Sequence, residues 1–150
     1  MLEESMKDIR NGWIDKDNYY HLKNSINFFD DYRLQSPNKL IKTKIGNSID
    51  QVELERYVLK NKCKSYFIVS NKNYFHSFIV IDNVWYEHSW KEFEGTHKYT
   101  DFELLIEDIY NKFLKKHNLL NAKIYEYDIP NYGITYKDFY NHCVRGREIK

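Results

Sequence analysis

The residues of this chain whose types and spacing can do chemistry fall in three places: Gly46-Asn47-Ser48-Ile49-Asp50-Gln51, then His76, then Glu87-His88. Ser48 opens a stretch with helical spacing. The start of a helix presents unpaired backbone N–H groups and the positive end of the helix dipole. A nucleophile there has its anion stabilised, and the same amides can receive an oxyanion. His76 lies in a β-rich run; where that strand packs beside the helix start, its imidazole can take the nucleophile's proton. Glu87, on the following strand, can orient the second ring nitrogen and stabilise the imidazolium. The order along the chain is nucleophile, base, acid.

Each of these residues also has a structural reading. Ser48-Ile49-Asp50-Gln51 is a capping box, Ser-x-x-Gln, and Asn47 with Asp50 three residues on is an equal candidate. On periodicity alone, capping is the commoner role for such a serine. His76 sits between Phe75 and Ser77-Phe78, where a lone histidine is more often a hydrogen-bonded core residue. Glu87 alone reads as a solvent-facing strand residue, and Asp82 as turn chemistry. Trp85 and Trp90 read as core or pocket wall. His21, His97, His117 and His142 are scattered and show no metal spacing, so the chain implies neither a metal nor an organic cofactor.

The elements that must position these residues follow from periodicity. Leu2, Met6 and Ile9 mark a first helical stripe, ended by Asn11-Gly12, and Leu22, Ile26 and Phe29 mark a second. Ser36-Pro37 reads as an N-cap and first helical position, opening a short helix to about Thr43. Gly46 allows a sharp turn. The next helix starts at Asn47 or Ser48 and runs to about Lys60. Its apolar residues Ile49, Val52, Leu54, Tyr57, Val58 and Leu59 lie on more than one face, as in a helix buried on several sides. The period then changes to that of strands at Ser65–Ser70 and Tyr74–Ile81, with Asp82-Asn83 as a two-residue hairpin turn and Val84–Trp90 as the partner strand. Thr100-Asp101-Phe102-Glu103 is a capping box before an amphipathic helix carrying Phe102, Leu105, Ile109 and Phe113. Lys123–Ile129 reads as a further strand, and a last short helix starts at Thr135. Helices followed by strands predict an α+β domain with a mostly antiparallel sheet.

Composition narrows the function. A chain of 150 residues suits one domain. With 23 Lys and Arg against 22 Asp and Glu, the net charge of +1 gives no strong drive toward nucleic acid or an anionic membrane. The basic clusters at Lys39–Lys44, Lys112–Lys116 and Arg145–Lys150 read as solvated faces or a tail. No apolar run approaches a membrane span, and the acidic, helix-like start shows no signal peptide, so a cytoplasmic protein is expected. Cys63 and Cys143, far apart and outside any Cys-x-x-Cys pair, read as two reduced thiols.

One resemblance sharpens this reading. Tyr32-Arg33-Leu34-Gln35-Ser36-Pro37, Lys44-Ile45-Gly46-Asn47-Ser48-Ile49-Asp50-Gln51-Val52-Glu53-Leu54-Glu55-Arg56, His76-Ser77-Phe78 and Trp85-Tyr86-Glu87-His88-Ser89-Trp90 resemble a group of small bacterial transglutaminase-like proteins within the papain-like superfamily. The resemblance spans roughly Gly12 to Leu120. It implies a central buried helix packed on a small, mostly antiparallel sheet, with a cysteine at position 48 and a catalytic histidine at His76. The third member would be an acid, for which Glu87 is the nearest match; Ser89, His88 and Asp82 are the other candidates. The activity implied is that of a cysteine-type hydrolase or acyltransferase acting on an amide bond of a peptide or protein. Gln35, Trp85 and His88 are the further candidates for substrate or oxyanion contact. Ser48 departs from the pattern. It is read as an inactivating replacement of the thiol, as a natural Ser–His–Glu nucleophile, or as the mark of a dead site. The first is preferred, because the rest of the motif is intact. The alternative function is a non-catalytic phage or mobile-element module that binds a protein or small ligand in the old cleft, lined by Tyr74, Trp85, Tyr86, His88 and Trp90.

Overall fold

Asn47, not Ser48, caps the helix that carries the candidate nucleophile. Its side chain accepts from the amides of Ile49 and Asp50, and the Asp50 carboxylate accepts in turn from the Asn47 amide. The structure, a computed structural model, describes residues 31–43, 45–60, 62–70, 74–87, 95–116, 119, 121–128 and 132–149. The two helices expected around Leu2–Ile9 and Leu22–Phe29 lie outside these residues, as do His88, Ser89 and Trp90.

Helix α1 is Pro37–Thr43, with Ser36 Oγ accepting from the Lys39 amide as an N-cap does. Helix α2 is Ser48–Val58, and every residue from Ile49 to Arg56 is buried. Its middle is therefore buried on several sides, as the apolar spread predicts, whereas Tyr57 in its last turn is 62% exposed. The helix stops where Lys60 takes a left-handed φ of 52°. Strand β1 (Lys64–Ser70) is followed by β2 (Tyr74–Ile81) and β3 (Val84–Glu87). Asp82 and Asn83 join the last two with φ of 49° and 62°, the left-handed pair that a right-twisted hairpin needs. Strand β4 is Gly95–Lys98. Helix α3, Phe102–Asp108, continues through a π-turn at Ile109–Phe113 into Leu114–Lys116. Its cap is Asp101, which accepts from the Leu104 amide, rather than Thr100 as the capping-box pattern suggests. Strand β5 (Lys123–Tyr127), helix α4 (Tyr136–Val144, capped by Thr135) and strand β6 (Arg147–Ile149) complete the order.

The fold is α+β. Among the described residues six strands form one sheet in the order β4-β3-β2-β1-β5-β6, with every neighbouring pair antiparallel. Neither edge strand was expected. Gly95-Thr96-His97-Lys98 has no apolar run, and Arg147–Ile149 lies within a segment read as a basic tail. The sheet separates two apolar clusters. Leu40, Ile49, Val52, Leu54, Phe67, Val69, Ile79, Tyr127, Phe139 and Cys143 place α1, α2 and α4 on one face. Tyr66, Ile68, Phe78, Val80, Trp85, Leu105, Ile109 and Phe113 place α3 and its continuation on the other. Side chains alternate along β2, so Ser77 and Ile79 face α2, while His76, Phe78 and Val80 face the α3 layer.

Candidate active site

His76 and Glu87 meet. The imidazole Nε2 lies 2.7 Å from Glu87 Oε1, and both side chains are buried, at 2% and 0% exposure. Val80 pairs with Trp85, and the alternation of β3 then puts Glu87 on the same face as Trp85 and His76. The imidazole ring also stacks on Phe78, with centroids 6.3 Å apart. A buried carboxylate needs a hydrogen-bonded partner to stay charged, and the imidazole is such a partner.

Ser48 is brought to the same strand by a different route. Strand β2 pairs with β3 over Ile79–Ile81, opposite Val84–Tyr86. Two residues before that stretch, the Ser77 amide donates instead to Ser48 Oγ at 3.2 Å. Because Asn47 takes the capping role, the Ser48 hydroxyl lies against the peptide that joins His76 to Ser77. With Nε2 turned to Glu87, the ring nitrogen nearer that main chain is Nδ1. Ser48 approaches from the α2 layer, whereas the imidazole projects into the α3 layer. Among the described residues, the one hydrogen bond of Ser48 Oγ is with the Ser77 amide. The structure thus joins His76 to Glu87 directly and joins Ser48 to the backbone beside His76.

The start of α2 is held by a buried network that explains the Gly-x-x-x-Asp spacing. A Cβ at Gly46 would lie 2.6 Å from Leu40 Cδ1 and 3.0 Å from Asp50 Oδ2, so close packing rather than a special φ requires glycine there. Asp50 accepts from the Tyr32 hydroxyl at 2.5 Å, the Gln35 amide at 3.0 Å and Gln35 Nε2 at 3.1 Å. Burial pushes the Asp50 carboxyl up to about 6, with the bonds from Tyr32, Gln35 and Asn47 opposing that rise.

Two expected substrate contacts are engaged within the fold. Gln35 Nε2 also donates to the Ile45 carbonyl at 2.6 Å and to the Tyr32 hydroxyl at 2.7 Å, so this side chain braces the loop rather than facing an oxyanion. Trp85 is fully buried, stacked on His97 at 4.6 Å and edge-on to Phe113 at 4.7 Å, so it is a core residue. His88, Ser89 and Trp90 lie outside the described residues, as do the side chains of Tyr74 and Phe75. Asp82 sits in the hairpin turn at the far end of β2 from His76. Ser77 was missed, and its one sequence signal was that it follows His76. Among the described residues no group of three or more His, Cys, Asp or Glu side chains is arranged to hold a metal, and no helix is long and apolar enough to cross a membrane. Comparison of the chain with protein-family models, with curated proteins and with solved structures finds no match.

Proposed function

We propose that this chain has the papain–transglutaminase plan and acts, when position 48 carries a competent nucleophile, on an amide bond of a peptide or protein by acyl transfer. The observation that carries this reading is the buried His76–Glu87 pair on the strand whose next amide holds Ser48 Oγ. In the reaction the atom at position 48 bonds to the acyl carbon as its proton passes to His76, which requires Nδ1 to come past the β2 main chain within reach of position 48, and Glu87 stabilises the imidazolium. The Ser77 N–H is the donor that negative charge at this point would meet, because the Ile49 and Asp50 amides are taken by the Asn47 cap. The amine leaves with the proton from His76. Water then releases an acid, or a second amine releases a new amide, with His76 taking and returning the proton again. A serine hydroxyl is far less acidic than a thiol, so the chain as written is much the weaker nucleophile.

The test is alkylation of the Ser48→Cys protein by iodoacetamide at neutral pH, with and without His76→Ala, read by peptide mass. Both native thiols are buried, Cys143 fully, and burial pushes Cys63 up to about 11 and Cys143 higher still, so they are poor competitors. Fast labelling at position 48 that slows at least tenfold without His76, in a protein of unchanged circular dichroism, supports a working pair. Labelling at the rate of an ordinary thiol, indifferent to His76, would falsify the catalytic assignment. It would favour the second reading, a binding module, for which the enclosure of both His76 and Glu87 is the favouring observation.

A further inference from the structure

Position 48 is held from two sides, and only one of them is the strand that carries His76. On that side the Ser77 amide donates to Ser48 Oγ at 3.2 Å. On the other, Ser48 lies inside a closed ring of bonds between its neighbours. Asn47 Oδ1 accepts from the Ile49 and Asp50 amides, each at 3.0 Å, and Asp50 Oδ2 accepts from the Asn47 amide at 3.2 Å. This ring fixes the main chain both before and after position 48. An ordinary helix cap would end there, because the box is complete within four residues.

The Asp50 carboxylate does more than close the box. It also accepts from the Tyr32 hydroxyl and from the main-chain and side-chain amides of Gln35, residues 18 and 15 positions earlier. Four donors thus converge on a group with about four acceptor sites. Asp50 is 1% exposed, and Tyr32 and Gln35 are buried with it. A buried carboxylate is costly unless it is bonded in this way, and capping a helix does not require one. The segment that supplies the distant donors is itself fastened to the start of α4. The Leu34 amide donates to the Ile134 carbonyl and the Gly133 amide to the Leu34 carbonyl, each at 2.8 Å, and the Tyr136 amide donates to the Tyr32 carbonyl at 3.1 Å. The Tyr32 ring packs edge-on to Tyr136, with centroids 5.0 Å apart. Gln35 Oε1 accepts from Thr43 Oγ1 at 3.2 Å, at the end of α1. A continuous chain of contacts therefore runs from α4 through Tyr32 and Gln35 to Asp50, and from Asp50 to the amide that precedes position 48.

We propose that Asp50, held by Tyr32 and Gln35, is a positioning residue that sets where the side chain at position 48 stands relative to the Ser77 amide and the β2 main chain beside His76. The inference rests on the acyl-transfer reading of this site. In that reaction the attacking atom must reach both the acyl carbon and the base, and a misplacement of about 1 Å can cost on the order of a hundredfold in rate. The Asn47 cap alone fixes the first turn of α2 only relative to itself. The bonds from Tyr32 and Gln35 fix that turn relative to α1 and α4, which is the support a precisely placed reacting group needs.

The test uses two variants that keep the Asn47 acceptor in place. Tyr32→Phe removes one hydroxyl and keeps the ring; Asp50→Asn keeps the shape but replaces one acceptor oxygen by a donor. The first readout is the Ser77 amide resonance of the folded protein with native Ser48, which reports the contact with the Ser48 hydroxyl whether or not the site reacts. The second is iodoacetamide labelling of the Ser48→Cys protein carrying each variant, at neutral pH, with the melting temperature measured alongside. Both variants are expected to move the Ser77 resonance, and to leave it in place in a Ser48→Ala background, where the acceptor is gone. Labelling is expected to slow about threefold with Tyr32→Phe and about tenfold with Asp50→Asn. A merely structural role would lower the melting temperature and leave both readouts of the folded protein unchanged. An unmoved Ser77 resonance, an equal shift in the Ser48→Ala background, or labelling at the parent rate in a protein whose labelling depends on His76 overturns the proposal. Faster labelling with Asp50→Asn overturns it too, since the carboxylate would then act through its charge, whose removal favours the thiolate. If the Ser77 resonance moves as expected while His76→Ala leaves the labelling of the Ser48→Cys protein unchanged, the positioning role stands and the Cys–His reading fails.

Discussion

Replacing Glu53 by glutamine should make the protein less sensitive to alkali. The carboxyl is fully buried on α2, and burial raises it from an ordinary 4.5 to about 8, against the pull of Arg56. Between those values the folded protein keeps a proton that the unfolded chain has released, so stability falls as pH rises through this window and levels off above it. Holding a proton one pH unit beyond its ordinary range corresponds to about 1.4 kcal/mol, so Glu53 alone removes on the order of 5 kcal/mol across this window. That is comparable with the whole stability of a small domain, about 5–15 kcal/mol. Asp50, raised from 3.8 to about 6, adds loss in the same direction over its own lower range. Glutamine has nearly the same shape and cannot ionise. Urea unfolding at pH 5, 7 and 9 should therefore show Glu53→Gln within about 1 kcal/mol of the parent at pH 5 and several kcal/mol more stable at pH 9. Parallel stability curves for the two proteins would show that Glu53 is not held as a buried acid, and the reasoning would be wrong.

Three other outcomes follow from the site. Asn47→Ala should cost about 1–2 kcal/mol in urea unfolding, because it removes the acceptor of two helix amides, whereas Ser48→Ala should cost clearly less; equal costs would return the cap to Ser48. Gly46→Ala should lower stability by about 1–3 kcal/mol, since the new methyl meets both Leu40 and Asp50; an unchanged melting temperature would show that the loop relaxes freely. His76→Ala and Glu87→Ala should each cost about 3–5 kcal/mol by removing one member of a buried pair, and the double variant should cost well under their sum. Simple additivity would mean the pair is not coupled.

Local order left a clear trace in the sequence. Pro37 at a helix start, the Asp82-Asn83 turn between two β-branched and aromatic runs, and the acid-and-amide cap around Asn47–Asp50 act within a few residues, so their chemistry can be read without the rest of the chain. The residues of the candidate site were legible as types, and His76 and Glu87 as neighbours on one hairpin, because a two-residue turn sets the register of the strands it joins. What the sequence left open was every choice between near-equal local solutions. Asn47 or Ser48, and Thr100 or Asp101, can each cap a helix, and backbone geometry selects between them. The short edge strands Gly95–Lys98 and Arg147–Ile149 have no pattern of their own and exist because a neighbouring strand offers unpaired main-chain groups. Only the tertiary structure could place Gln35 under Asp50, bury Trp85 against Phe113, and bring the Ser77 amide to Ser48 Oγ. Each of those contacts joins residues distant in the chain, through the packing of α2 and α3 on opposite faces of one sheet.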